Sequence, residues 1–297
     1  AYGYFEISQA YYDAIIQWQG TRNQVRGLEK EQIGYENGVL GGVISTLTSC
    51  AAPGDAVLLH SPAYIGFTSS IAQNGYRMVF SSLKKDAQGV YRMDYADMDA
   101  KIKANHIHVA VLCSPHNPTG RVWERQELED AMKVFEENEV TVIADEIWSD
   151  ILLNGHRHIP AQSVNAYARE HTAAFYAPSK TFNLAGLIGS YHIIYNRALR
   201  DRIRAKGSKP HYNDINVLSM HALIGAYKPE GSAWVDELCE TLSGNVNYAC
   251  DRIWQHIPGV SVSKPQGTYM LFLDCTQWCR EHEKTLDQLL QAGWDAG

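Results

Sequence analysis

Short apolar runs separated by amphipathic stretches set the pattern of this chain. DAVLLH (55–60), HVAVLC (108–113), VTVIA (140–144) and TAAFY (172–176) have the length and bounding turns of buried strands. Shorter strand signals cover 32–35, 76–81 and 189–195. Between them the spacing of apolar positions predicts helices over 6–18, 39–51, 65–74, 94–104 and 124–138. Short apolar strands alternating with helices predict an α/β fold, with a mostly parallel, seven-stranded sheet covered on both faces. From residue 197 the character turns helical, and a long helix over 232–255 is expected to bridge to a second, smaller unit. That unit shows one strand signal, 268–274, and a helix signal at 285–291. A single strand cannot bury both of its faces. The expectation is therefore a large domain over 1–233 and an incomplete C-terminal α/β unit over 234–297.

Composition narrows the class of function. Of 297 residues, 45% are hydrophobic and 20% charged, which excludes disordered, collagen-like and coiled-coil chains. The net charge of −7 lacks the basic excess of a nucleic-acid binder, so no nucleic acid partner is expected. No apolar run reaches the roughly 18 residues of a membrane span, so no membrane partner is expected either. The chain does not begin with Met and shows no signal-peptide core; its first residue is not expected to be the natural start. The six cysteines form no CxxC pair and read as free thiols of a reducing, cytoplasmic compartment. Cys275 and Cys279 lack a second ligand pair, and the two histidines of GHRH (155–158) lack a third ligand, so no metal site is expected.

In an open parallel sheet, ligands bind beyond the carboxyl ends of the strands. The segments after the strands are therefore informative. ENGVLGG (36–42) comes after the first strand and opens a helix, and SPAY (61–64) comes after DAVLLH. SPHNPTG (114–120) succeeds HVAVLC, DEIWSD (145–150) succeeds VTVIA, and APSKTFN (177–183) succeeds TAAFY. Taken singly, each is ordinary: a turn, a helix cap, a surface lysine. Together they place a glycine turn, an aromatic, an Asn, an Asp and a Lys at five strand ends.

Asn117, Asp145 and Lys180, spaced by 28 and 35 residues, resemble the signature of the fold-type I pyridoxal-phosphate enzymes, aspartate aminotransferase-like in fold. More narrowly, YGYF, HSPAY, LCSPHNPTGRVW, DEIWSDI, SKTFNLAGL and PQGTYMLFLD resemble the MalY/PatB-type cystathionine β-lyases, the C–S lyases of the class I/II aminotransferase superfamily. The similarity runs from Tyr2 to about Leu290, and the family's length implies that this chain is truncated at both ends. The resemblance implies pyridoxal 5′-phosphate as cofactor. It implies Lys180 as the catalytic lysine bonded to the cofactor aldehyde, Asp145 at the pyridine nitrogen, Asn117 at the ring 3′-oxygen and Tyr64 on the ring face. It places the phosphate on the backbone N–H groups of Val39 and Leu40 at a helix start, with Ser179 beside it. It also implies a homodimer in which Tyr4 reaches the phosphate of the neighbouring subunit.

Three positions depart from the wider superfamily. Trp148 stands where a tyrosine often donates to the 3′-oxygen, Ala177 where a serine is common, and Ile188 where aminotransferases commonly carry a phosphate-binding arginine. The family's carboxylate-binding arginine lies beyond Gly297; in its absence Arg121 or Lys264 would have to take the substrate carboxylate. The expected activity is β-elimination from a sulfur-containing amino acid, giving thiol, pyruvate and ammonia. A thiol has a pKa of roughly 8.5, so a thiolate leaves with little acid assistance. The alternative is a class I/II aminotransferase.

Overall fold

The computed structural model describes residues 5–208 and 213–296. In chain order the strands are β1 (Ile33–Asn37), β2 (Ala56–Ser61), β3 (Arg77–Ser82), β4 (Lys84–Lys85), β5 (Tyr91–Arg92), β6 (Val109–Cys113), β7 (Thr141–Asp145), β8 (Thr172–Tyr176), β9 (Gly189–Ile193), β10 (Ser261–Val262) and β11 (Leu273–Asp274). Seven of them form one sheet in the order β1-β9-β8-β7-β6-β2-β3. The block β3, β2, β6, β7, β8 is parallel, whereas β9 runs antiparallel to β8 and β1 antiparallel to β9. The mostly parallel α/β architecture expected from the sequence is therefore the one observed.

Strand pleat explains how each face is filled. Along β6, Val109, Val111 and Cys113 enter one core cluster while Ala110 and Leu112 enter the other, as alternation of side chains requires. The first face carries Val39, Val43 and Leu47 of helix α2 (Gly38–Cys50). The second carries Tyr11, Ile15 and Trp18 of helix α1 (Gln9–Arg22), with Leu128, Met132 and Phe135 of the helix Arg125–Glu137. Both faces are filled by apolar side chains, and each fully buried one stabilises the fold by about 1.5–3 kcal/mol. Ile143 lies on the α2 face, so the same two-residue period turns Asp145 to that side. Register does the rest: Cys113 pairs with Asp145 and Asp145 with Phe175, so β6, β7 and β8 end level with one another.

Helix positions agree with the sequence expectation to within a few residues at most ends. Helix α1 begins at Gln9 and runs on to Arg22, later than the 6–18 expected, because Ser8 is extended (φ −70°, ψ 151°) and holds the N-cap position. The helix Pro229–His256 contributes Val235 to the α1-side core, and Val246, Cys250 and Ile253 to a separate small cluster with Leu153 and Val262.

The strand expected over 268–274 is corrected: only Leu273–Asp274 is strand, paired with Ser261–Val262, so the described residues after 233 hold two short strands rather than one. Thr268 has φ +65°, which breaks an extended run. The backbone before it is already committed to the large unit, with Leu153 N–H donating to Gln266 O (2.8 Å) and Thr268 N–H to Ile151 O (3.0 Å). The helix signal at 285–291 extends instead over Leu286–Ala296.

Gly42 lets α2 lie directly on the sheet. A Cβ at Gly42 would sit 2.2 Å from the Phe175 ring, itself fully buried on β8. Gly42→Ala is therefore expected to destabilise the fold by about 1–3 kcal/mol, the scale of core overpacking. A urea-unfolding midpoint equal to that of the parent would show that α2 does not approach β8 this closely.

Candidate active site

The carboxyl ends of β6, β7 and β8, the turn after β2 and the start of α2 open onto one cavity of about 320 Å³. Val39, Leu40, Tyr64, Asn117, Asp145, Trp148, Ser179 and Lys180 all line it. Eight of the nine site residues expected from the sequence thus meet in one place, and the ninth, Tyr4, lies outside the described residues. Ala177 and Ile188, two of the departures, line the same cavity.

Asp145 is the electrostatic centre of this cavity. Its side chain is buried, and Oδ1 accepts one hydrogen bond from the Ile147 N–H at 3.0 Å. Burial pushes its carboxyl up to about 7; the Ile147 N–H opposes that shift, the Glu146 charge adds to it, and Lys180 pulls it back. A carboxylate in this position lacks a sufficient cation among the protein's own groups.

Lys180 sits in the short helix Pro178–Thr181, directly after β8. Its Nζ lies 5.6 Å from the Trp148 ring centroid, within cation–π range. Trp148 is buried and packs edge-on against Tyr269 (4.7 Å, 83°). Trp148 therefore offers Lys180 a ring face, where a tyrosine would offer a hydroxyl. Thr181, next to Lys180, donates from Oγ1 to Asp150 Oδ2 at 3.0 Å, and Trp18 Nε1 donates to Asp150 Oδ1 at 3.0 Å. The lysine-bearing turn is thereby tied to α1.

The start of α2 is held by a second buried network. Asn213 Oδ1 accepts the Asn37 N–H (2.7 Å) and its Nδ2 donates to Glu36 Oε2 (2.7 Å). His192 Nδ1 lies 2.7 Å from Glu36 Oε1. These bonds fix Asn37 and Gly38, both of which line the cavity, and so aim the first N–H groups of the helix. A helix N-terminus of this kind favours an anion.

Tyr64 and Asn117 are backed by two buried imidazoles. Burial pushes His60 down to about 4, and burial together with the neighbouring His60 pushes His116 down to about 3, so both are neutral near pH 7. His116 Nδ1 meets Thr119 Oγ1 at 2.8 Å, which holds the 116–120 turn together.

Arg121 does not serve as a substrate cation. It is buried, ion-paired to Glu127 and Glu124 (the latter at 3.1 Å), and its Nε donates to Tyr91 O at 3.1 Å. It also donates to Gln266 Oε1 at 2.5 Å, joining the NPTG turn to the segment before Gly267. Lys264 is exposed and does not line the cavity. Asp150, Asn213, Glu36 and His192 were not legible as site supports in the sequence. They act at separations of 31 to 177 residues, with no local motif to mark them. Among the described residues no group of three His, Cys, Asp or Glu side chains comes together as a metal site.

A family model described as aminotransferase class I and II matches residues 1–293. The chain is 31% identical over 293 residues to cystathionine beta-lyase PatB of Bacillus subtilis, covering 98% of this chain and 75% of that protein. It is 32% identical over 262 residues to protein MalY of Escherichia coli, covering 88% of this chain but only 66% of that relative. Among solved structures, the PLP-bound C-S lyase from Staphylococcus hominis superimposes with a TM-score of 0.87 at 29% identity, over 96% of this chain and 71% of that one.

The Asp145 environment has a measurable consequence. An unfolded carboxyl titrates near about 3.9, and the folded one near about 7 in protein freed of bound small molecules. Its stabilising contribution is complete below pH about 4 and is lost as pH rises through about 7. Asp145→Asn in that state should therefore gain stability relative to the parent across this window, by on the order of 1–4 kcal/mol at pH 8. Urea melts at pH 4 and pH 8 with the same difference between the two proteins would show that Asp145 is not held out of water.

Proposed function

The chain belongs to the class I and II aminotransferase family, and from that membership we propose that it is a pyridoxal 5′-phosphate-dependent carbon–sulfur β-lyase. The observation that supports this reading best is the convergence of Asn117, Asp145 and Lys180, with Tyr64 and the start of α2, on one cavity. The similarity to PatB and MalY favours elimination over amino transfer.

The donor set fits the cofactor. The buried Asp145 carboxyl, short of a cation among the protein's own groups, would hold a protonated ring nitrogen. Tyr64 offers an aromatic face, Asn117 an amide for the ring oxygen, and Lys180 an amine for the aldehyde carbon. The Val39 and Leu40 N–H groups and the Ser179 hydroxyl suit the phosphate. In this proposal the protein is a homodimer of a reducing cytosol, and Tyr4 completes the phosphate site of the neighbouring subunit.

When bound, pyridoxal phosphate supplies the electron sink that stabilises negative charge at the substrate Cα. The protein's own groups do the rest. Asp145 keeps its negative charge against the ring nitrogen. Lys180 Nζ takes the proton from the substrate Cα, acting as general base from its seat over Trp148. Neutral His60 and His116 behind Tyr64 and Asn117 add no competing charge. The leaving thiolate, with a conjugate-acid pKa of roughly 8.5, requires no strong acid. The substrate class is therefore a cysteine S-conjugate such as cystathionine, and the products are thiol, pyruvate and ammonia.

The test is incubation of the cofactor-loaded protein with cystathionine, with cysteine, and with a plain α-amino acid plus 2-oxoglutarate. Release of pyruvate and thiol is expected; keto-acid exchange without thiol release would assign the alternative, an aminotransferase. Borohydride treatment and subsequent peptide mapping should leave the pyridoxyl label on Lys180. Lys180→Ala should lower turnover by about a hundredfold or more, the scale of losing a general base. A label on another lysine would remove Lys180 from the proposed site.

A further inference from the structure

A second cavity, of about 400 Å³, lies away from the catalytic one. Its wall residues Tyr176 and Ile193 belong to the core face that α1 covers, whereas the catalytic cavity opens on the side of α2. Four arginines line it, Arg26, Arg125, Arg157 and Arg169, together with His158. No Asp or Glu is among its lining residues, in a chain whose net charge is −7. All four arginines are exposed, and like charge gathered around one cavity raises the local concentration of anions.

The arginines are not used up by the protein. Among the described residues, the guanidinium groups of Arg26 and Arg157 have no hydrogen-bond or ion-pair partner. Arg125 makes one loose contact with Glu129 (3.8 Å), and Arg169 stacks over Tyr195 at 3.7 Å. The adjoining surface depression carries Asp150, Asp236 and Glu240. Arg157 borders that depression as well, but among the described residues none of these three carboxylates makes an ion pair with Arg26 or Arg157; Asp236 is paired with Arg22.

An independent observation points to a ligand. His158 is buried with Nε2 2.7 Å from Glu146 Oε2, yet its Nδ1 is buried without any partner. A buried ring nitrogen left unpaired is costly. Glu146 is otherwise satisfied by the Tyr176 hydroxyl (2.5 Å) and the Ala161 N–H (2.8 Å). Nδ1 is therefore the atom of this network left without a partner, and with a hydrogen on it this nitrogen would donate to an oxyanion.

We propose that this arginine-lined cavity is a binding site for a small organic anion carrying two or more oxyanion groups, of the phosphate-ester or polycarboxylate class. Guanidinium forks match both kinds of oxyanion bidentately. Ile159, Pro160 and Tyr195 offer apolar surface for the ligand's carbon skeleton. The site stands independently of the lyase reading. It reaches the catalytic cavity electrostatically, because Glu146 adjoins Asp145 in sequence and its charge acts on the Asp145 carboxyl.

Calorimetric titration of the full chain, with saturating pyridoxal phosphate to fill any phosphate site in the catalytic cavity, tests this. Inorganic pyrophosphate and citrate serve as the two ligands, at a fixed ionic strength of about 0.15 M. At least one is expected to bind with a Kd below about 1 mM; preference for pyrophosphate assigns the phosphate class, and preference for citrate the carboxylate class. Arg26→Gln combined with Arg157→Gln should weaken that binding by about tenfold or more, the scale of lost charge-assisted hydrogen bonds. Arg197→Gln, on an exposed position outside the cavity, should leave it unchanged. Absence of binding by both anions, or equal binding by the double variant and the parent, would overturn the proposal.

Discussion

A carboxylate removed from water at the end of a parallel strand is the constraint around which this molecule is arranged. Asp145 is turned into the α2 side by the pleat of β7 and surrounded by groups that exclude solvent. One backbone N–H and a neighbouring lysine offset only part of the cost of charging it. A cation brought into this cavity would favour the charged carboxylate, and the proposed function rests on that balance. Without the level strand ends of β6, β7 and β8, the amide of Asn117, the carboxyl of Asp145 and the amine of Lys180 would not share a cavity.

Holding that arrangement takes rigid support from both faces of the sheet. On the α2 side, the close approach at Gly42 and the Glu36–His192–Asn213 network set where the helix begins and how its first N–H groups point. On the α1 side, Asp150 joins Trp18 to Thr181 and so anchors the turn that presents Lys180. Arg121 does the same for the NPTG turn, tying it through Gln266 to the second unit. A residue that could pass for a substrate-binding cation is instead a cross-link, because its guanidinium faces two glutamates before any ligand could reach it.

Glu146 shows how two adjacent acidic residues acquire opposite tasks. Asp145 faces a cavity with little protein to balance its charge, whereas Glu146 is wrapped by His158, Tyr176 and the Ala161 N–H. One is left short of partners and the other is fully bonded, and the difference lies in which side of the strand end each side chain leaves from. The arginine-lined cavity then adjoins His158, which is bonded to Glu146, the chain neighbour of Asp145.

The sequence by itself determined the strands, their alternation with helices and the motifs at each strand end. It did so because those signals are local: a five-residue apolar run, a helix period and a turn are read within one window. It also sufficed to expect the residues of those motifs in one cavity, since a parallel sheet delivers successive strand ends to one edge whatever lies between them. Thr268 escaped that reading because an apolar run does not reveal that the Thr268 N–H is claimed by Ile151 O, or that the Gln266 carbonyl just before it is claimed by the Leu153 N–H. Only the tertiary structure decided that Trp148 gives Lys180 a ring face, that Arg121 is a strut, and that Asn213 and Asp150 set the positions of Asn37 and Thr181. It alone gathered Arg26, Arg125, Arg157 and Arg169 around one cavity. Each of these depends on contacts between residues far apart in the chain, and separation in sequence carries no information about them until the sheet and its covering helices have packed.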